Sequence, residues 1–458
     1  MSRRFFSQYF LRFRFSRAAF LSARRRVLST RTGVRLALLS PIIGYNSMSQ
    51  DKEHGSGGGQ QNAAQNPRQS AQAGRVGTLT SEQEGTLKEL WQNVLQVFVE
   101  PPAVQTTEKG KGKKFGFLKK KHEEDKYAQR EDYQEAISTQ SPEELRSIFW
   151  ATVKCDDPDA LLLRFLRARK WDVSQALVML VSTLAWRSGR QHDVETLMAK
   201  GEAGAIESKD DGFMSQLRVG KSYLHGCDRT GRPITVVSAR LHHSGDQSDD
   251  AMQRYTIYIM ESTRMLLRDP VDTAAVIFDL HDFSLANMDY APVKFMIKCF
   301  EAHYPESLGV CIVYRAPWVF QGVWSIIKGW LDPVVASKIH FISSTSDLEK
   351  FISPDRVSKQ LGGNVDWEYK YVEPAAGEND RMNDSKTKDE ISKLRMDIIG
   401  ELEQLTRKWV EGAQDVTSVR NHTKQALREN YWKLDPYIRA RTILDRTGVL
   451  SDGGHVDM

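Results

Sequence analysis

The chain has few cysteines and no long apolar run, and its first fifty residues contain no acidic side chain and no lysine. Cys155, Cys227, Cys299 and Cys311 lie far apart without a CxxC pair. That excludes a disulfide framework and the usual zinc spacings, and it suits a reducing compartment. No stretch approaches the eighteen or so consecutive apolar residues of a membrane-spanning helix, so any membrane contact is expected to be peripheral or transient. A GxSxG elbow, a Walker loop and a GxGxxG after a strand are all missing. Hydrolase, nucleotidase and dehydrogenase chemistries therefore lack their parts, and no catalytic site, metal or cofactor is expected. The formal net charge is +5, but ten arginines fall within residues 1–50 with no acid to offset them, leaving −5 for residues 51–458. Nothing in that body suits nucleic acid.

With 458 residues, 40% of them apolar, the chain has room for two or three domains with a sizeable core. Residues 1–47 interleave arginine with Phe, Leu and Ser, the composition of a mitochondrial transit peptide. The alternative is that they lie upstream of a start at Met48. Residues 48–79 are rich in Gly, Gln, Asn and Ser and read as a disordered linker. Residues 80–139 begin with an amphipathic helix carrying Leu87, Leu90, Trp91, Val94, Leu95 and Phe98 at helical spacing, stopped by Pro101 and Pro102. A lysine-rich run, KGKGKKFGFLKKK (109–121), follows. Lysines mixed with aromatics suit an anionic lipid surface, and they equally suit a solvated loop.

Residues 140–190 carry a helical pattern, with Asp157–Pro158 as a start signal and Trp171–Val173 as a turn between two helices. From about Asp211 the period changes. Strand-like runs flank a turn at Asp228–Gly231, and DTAAVIFDL and GVCIVYRAP are short apolar runs separated by a helix ending near His303. The pattern predicts an α/β domain over 211–370, with helices on a largely parallel sheet. Residues 384–441 return to charged helices that either pack back on the body or bind a partner.

Six blocks carry a family resemblance: LLRFLRARKWDVSQALVMLVSTLAWR, DRTGRPITV, VIFDLHDFSLANM, HYPESLG, APWVFQGVWSIIKGWLDPVVASKI and LGGNVDW, in that order over residues 140–370. Together they resemble the CRAL-TRIO lipid-binding family, with its small helical N-terminal module before a lipid-binding α/β domain. The wording of HYPESLG and LDPVVASKI is similar to the fungal phosphatidylinositol transfer branch, and within it to members that carry phosphatidylinositol without phosphatidylcholine. The resemblance implies a carrier, not an enzyme, with phosphatidylinositol as bound ligand. It would work on cytoplasmic membrane faces, endosomal or endoplasmic reticulum, and would supply inositol-lipid kinases or a phospholipase.

The same resemblance implies a head-group site of Arg167, Arg169 and Lys170 with Glu306 and Lys338. Two lysines distant in sequence would converge on one phosphate. By composition alone, the basic cluster reads first as a solvated face, a preference the resemblance reverses, and the alternative for Glu306 is a structural ion pair. Val335 stands where many members have a hydroxyl residue, so that bond is absent or supplied by a neighbour such as Ser337. Ala274 and Val276 stand where members that also take phosphatidylcholine have hydroxyls. Phe320, Val323, Trp324, Ile327 and Trp330 form an apolar stripe resembling the family's gating helix, which would cover the lipid in solution and meet the bilayer when open. Gly362 and Gly363 resemble its hinge.

Adjacent His242 and His243 point apart on a strand and read as surface residues. Two alternatives stay open: a carrier or sensor of sterol, squalene-like lipid or haem in the same fold, and a scaffold with a vestigial pocket.

Overall fold

A computed structural model describes residues 73–100, 125–189, 192–413 and 415–458. The leader, most of the expected linker, Pro101–Pro102 and the lysine-rich run lie outside the described residues.

Cap signals set four of the five N-terminal helices, whereas the second follows Ala128 without a side-chain cap and carries no such sequence signal. Helix α1 (Ser81–Val97) starts at a Thr80–Gln83 capping box and buries Leu87, Leu90, Trp91, Val94 and Leu95. Then come α2 (Gln129–Thr139) and α3 (Pro142–Val153), the latter begun by a Ser141–Glu144 box. Asp157 caps α4 (Pro158–Ala168) and Asp172 caps α5 (Val173–Arg187). Between α4 and α5 the chain reverses through Lys170 and Trp171, both at positive φ. Helices α6 (Val194–Glu207) and α7 (Asp211–Arg218), which the sequence reading did not mark, lead into the sheet.

The sheet has the order β1 (Ser222–Cys227), β2 (Pro233–Ser238), β3 (Ala274–Asp279), β4 (Leu308–Tyr314), β5 (Ile339–Ile342). The β1–β2 pair is antiparallel and closed by the turn at Asp228–Gly231; the other pairs are parallel. The parallel strands are connected by α8 (Asp249–Arg264), α9 (Tyr290–Lys298) with a π turn at Cys299–His303, and α10 (Phe320–Lys328) with the short α11 (Pro333–Ala336). At four residues, β5 was too short to show as a period-two run in the sequence.

Both sheet faces are covered, which explains the continuous apolar runs. One face, with Ile234, Val236, Ala275, Ile277, Val310 and Ile312, packs on Leu348, Ile352, Val357 and Leu361 from the segment that begins with α12 (Thr345–Leu348). The register of β3 on β4 slips between Ala274 and Ala275, so Leu308 pairs with Ala274 and Gly309 is skipped. A Cβ at Gly309 would stand 2.4 Å from Arg232 Nε and 2.7 Å from Thr273 Oγ1, which leaves space only for glycine there. The slip turns Leu308 to the same side as Cys311 and Val313.

Of the two expectations for the C-terminal helices, packing back is the one realised. Helices α13 (Ser385–Val410) and α14 (Thr417–Ile438) pair with each other, and α13 also packs on α1. Asp159 of α4 accepts from Arg420 at 2.5 and 2.7 Å and from Lys424 at 2.8 Å, all three side chains nearly fully buried. The helical module is tied to the α/β body through Glu261 of α8, which meets Lys154 at 2.9 Å and Arg187 at 2.8 Å. Chain beyond α14 adds α15 (Ile443–Arg446) and a two-stranded ribbon, β6 (Leu450–Ser451) with β7 (His455–Val456).

One boundary needs correction. Residues 73–79, counted within the linker, pack on the body: Arg75 pairs with Asp272 at 2.9 Å, and the Gly74 carbonyl accepts from Arg167 at 2.9 Å.

Candidate functional site

Between the second sheet face and helices α8, α9 and α10 lies a cavity holding about 1820 Å³ free of protein atoms, its open mouth included. The sheet contributes Val276, Phe278, Leu308, Cys311 and Val313, and the helices contribute Met252, Ile259, Val293, Met296, Phe320, Trp324 and Ile327. The lining is overwhelmingly aliphatic and aromatic, which suits a long apolar ligand and gives water few partners.

Ala274 and Val276 both line this wall and offer it no hydrogen-bonding side chain. Two threonines of the same lining, Thr235 and Thr263, have hydroxyls 3.1 Å apart that bond each other, and Thr263 also donates to the Ile259 carbonyl at 2.8 Å.

Helix α10 closes one side. Phe320, Val323 and Ile327 are buried and Trp324 half-buried. Phe320 packs edge-on to Phe283 at 5.6 Å between centroids, and Trp324 edge-on to Phe341 at 4.9 Å. Trp330 falls in the turn after the helix, against Tyr290 and under Lys294. The sequence stripe is thus the inward face. Outside, Ile326 is partly exposed and Trp318, just before the helix, is 85% exposed. The sequence reading passed over Trp318 because it lies off the helical period.

The chain just after α10 is held by Glu301, a residue that no sequence motif singled out. One carboxylate oxygen accepts from Tyr127 Oη at 2.6 Å and Lys126 Nζ at 2.7 Å; the other accepts from the Asp332 backbone N–H at 2.7 Å. Lys126 also donates to the Trp330 carbonyl.

The basic residues expected to act together are only partly gathered. Lys338 and Glu306 stand at the starts of β5 and β4 and approach to 3.3 Å, each about one-fifth exposed. Arg167 turns to Asp272, at 3.3 Å, where burial and neighbouring Arg75 push its pKa down to about 10. Arg169 turns the other way, to the Gln129 side-chain carbonyl, and Lys170 is exposed past the end of α4. The helix-end cluster therefore diverges, since successive side chains leave a helix end in different directions. Val335 lines the cavity, but exposed Ser337 spends its hydroxyl on the Val334 carbonyl at 2.7 Å and does not replace the missing group.

Gly362, at φ +83°, and Gly363, whose added Cβ would lie 2.1 Å from the Val357 carbonyl oxygen, form a tight turn near Tyr314, on the sheet face away from the cavity.

His242 also departs from expectation. It is half-buried and lines the cavity, its Nδ1 3.0 Å from Lys221 Nζ and its Nε2 3.3 Å from Asp289. Burial, with Lys221 adding to it, pushes its pKa down.

No helix among the described residues is long and apolar enough to cross a membrane. Residues 217–363 match the CRAL/TRIO domain and residues 117–182 the CRAL/TRIO N-terminal domain. The chain is 45% identical to CRAL-TRIO domain-containing protein C3H8.02 of Schizosaccharomyces pombe, over 70% of this chain and 72% of that one. It is 38% identical to phosphatidylinositol transfer protein CSR1 of Eremothecium gossypii, over 83% of this chain and 99% of that one. With Sec14 cytosolic factor of Schizosaccharomyces pombe it shares 29% identity, over 45% of this chain and 74% of that one. From its sheet, its apolar cavity and these matches, the chain belongs to the CRAL-TRIO family of lipid-transfer proteins, carriers without catalytic activity.

Proposed function

We propose that this chain binds phosphatidylinositol and transfers it between membrane surfaces. The reading rests foremost on one observation: a cavity of apolar walls whose lining at the starts of β4 and β5, Ser307 and Ile339, adjoins the Lys338–Glu306 pair. Acyl chains would fill the cavity. The inositol phosphate would meet Lys338, with Arg167, Arg169 and Lys170 turning from their present partners and directions to supply further cations and Glu306 accepting from ring hydroxyls. Ala274 and Val276 leave a choline phosphate without donors, and an unsatisfied buried group costs about 1–3 kcal/mol. Phosphatidylcholine is therefore a poor ligand. The name of the Eremothecium gossypii relative agrees with phosphatidylinositol as cargo.

Exchange requires α10 to swing outward, laying Trp318 and Ile326 with the inner aromatic face on the bilayer. The protein would work from the cytoplasmic side, touching anionic endosomal or endoplasmic reticulum membranes transiently and presenting its lipid to inositol-lipid kinases or a phospholipase. Mass spectrometry of lipid co-purified with the chain, together with vesicle-to-vesicle transfer of labelled phosphatidylinositol, tests the reading. Recovery of a sterol, a squalene-like hydrocarbon or haem in place of phosphatidylinositol, with no transfer, would overturn it.

A further inference from the structure

The other end of the cavity, about 20 Å away along the six residues of β3 at roughly 3.3 Å each, is polar in a way the phosphatidylinositol reading does not use. Lys221 precedes β1 and Ser238 ends β2. The backbone N–H of Ser238 donates to the Lys221 carbonyl at 2.8 Å, so the two are cross-strand neighbours, and both line the cavity while only 2% exposed. An ammonium has three donors. Lys221 directs one to His242 Nδ1 at 3.0 Å and one to Gln247 Oε1 at 3.1 Å. Ser238 makes no side-chain hydrogen bond among the described residues. A buried cation with a spare donor therefore sits beside a hydroxyl at one end of a largely apolar cavity whose lining also includes Phe283, Met288 and Val293.

Charge narrows the ligand. With Lys221 as donor to Nδ1, His242 would carry its proton on Nε2 and donate to Asp289, whose other oxygen caps α9 through the Ala291 N–H at 3.0 Å. Asp289 and Asp246 already offset the lysine. A carboxylate here would be a third anion beside one cation. A neutral oxygen would accept from Lys221 and exchange a hydrogen bond with Ser238 at no such cost.

We infer that Lys221 and Ser238 form a subsite for the terminal oxygen of a single-chain lipid alcohol whose tail runs along the sheet toward Val335. The subsite does not depend on which head group meets Lys338, so its failure leaves the phosphatidylinositol reading intact, and the reverse.

The test measures binding of radiolabelled hexadecanol, hexadecane and palmitate, each delivered from cyclodextrin, to the full chain and to its Lys221→Met and Ser238→Ala variants. One to two gained hydrogen bonds imply about a tenfold preference of the wild type for hexadecanol over hexadecane. The preference should fall to about twofold in Lys221→Met and partway in Ser238→Ala, with hexadecane bound equally by all three. Equal hexadecane binding also shows that the cavity has stayed folded, and Ser238→Ala removes a single oxygen if the lysine change proves disruptive. Equal wild-type affinity for alcohol and alkane, tighter binding of palmitate, or a preference that persists in both variants would overturn the inference.

Discussion

Removing Lys338 and Lys170 together, each to alanine, should abolish phosphatidylinositol transfer with little effect on folding. Lys338 is about one-fifth exposed, and its contact to Glu306 is 3.3 Å. An ion pair this open to water contributes about 0–1 kcal/mol, and exposed Lys170 still less. A charge-assisted hydrogen bond to a phosphate contributes about 1.5–3 kcal/mol. Two such bonds, if independent, sum to about 3–6 kcal/mol, or roughly 10²- to 10⁴-fold in affinity. The assay is transfer of labelled phosphatidylinositol from donor to acceptor vesicles, read beside thermal unfolding of the same preparations. Wild-type transfer by a variant that melts like the wild type would refute the placement of the head group. The single changes apportion the effect. If Arg167, already engaged by Asp272, dominates instead, Lys338→Ala alone will cost little.

Wild-type protein should transfer phosphatidylcholine at least about tenfold more slowly than phosphatidylinositol, since one unsatisfied phosphate contact alone costs about that much; comparable rates for the two would contradict the role given to Ala274 and Val276. Glu301→Gln weakens the contacts from Tyr127, Lys126 and Asp332 that hold the chain after α10, so if the proposed gate is real, lipid exchange should speed up by about two- to tenfold; unchanged or slower exchange in stopped-flow measurements would show that these contacts do not limit opening. Asp159→Asn leaves Arg420 and Lys424 buried with a weakened counter-charge and should lose about 3–5 kcal/mol in urea unfolding, whereas a loss under about 1 kcal/mol would mean that water reaches the network. Burial raises the pKa values of Asp159 and Glu261, but Arg420 and Lys424 for the first, and Arg187 and Lys154 for the second, outweigh it and hold both carboxyls below their ordinary range. Their contribution is therefore full above about pH 4 and is lost as pH falls below it, so acid unfolding followed by circular dichroism should steepen there and flatten in Asp159→Asn.

The sequence by itself determined the local elements and the family. Thr80, Ser141, Asp157 and Asp172 mark helix starts because a capping side chain acts within three residues of itself. The runs of β3 and β4 show as continuous apolar stretches because both faces of their sheet are covered, and six ordered blocks carried the resemblance that the matches to whole relatives make firm. Tertiary structure decided what depends on direction and distance. Arg167 and Arg169 are two apart in sequence, yet one faces Asp272 and the other Gln129. Glu301 came to anchor the chain after α10 only because residues 174 and 175 positions away arrive at its carboxylate. His242 became a cavity residue because the turn after β2 carries it inward toward Lys221, a contact 21 residues long that alternation along a strand cannot report. Side-chain period gives the face of an element, which is local; which elements share a cavity depends on chain crossings, and those are fixed only when the core closes.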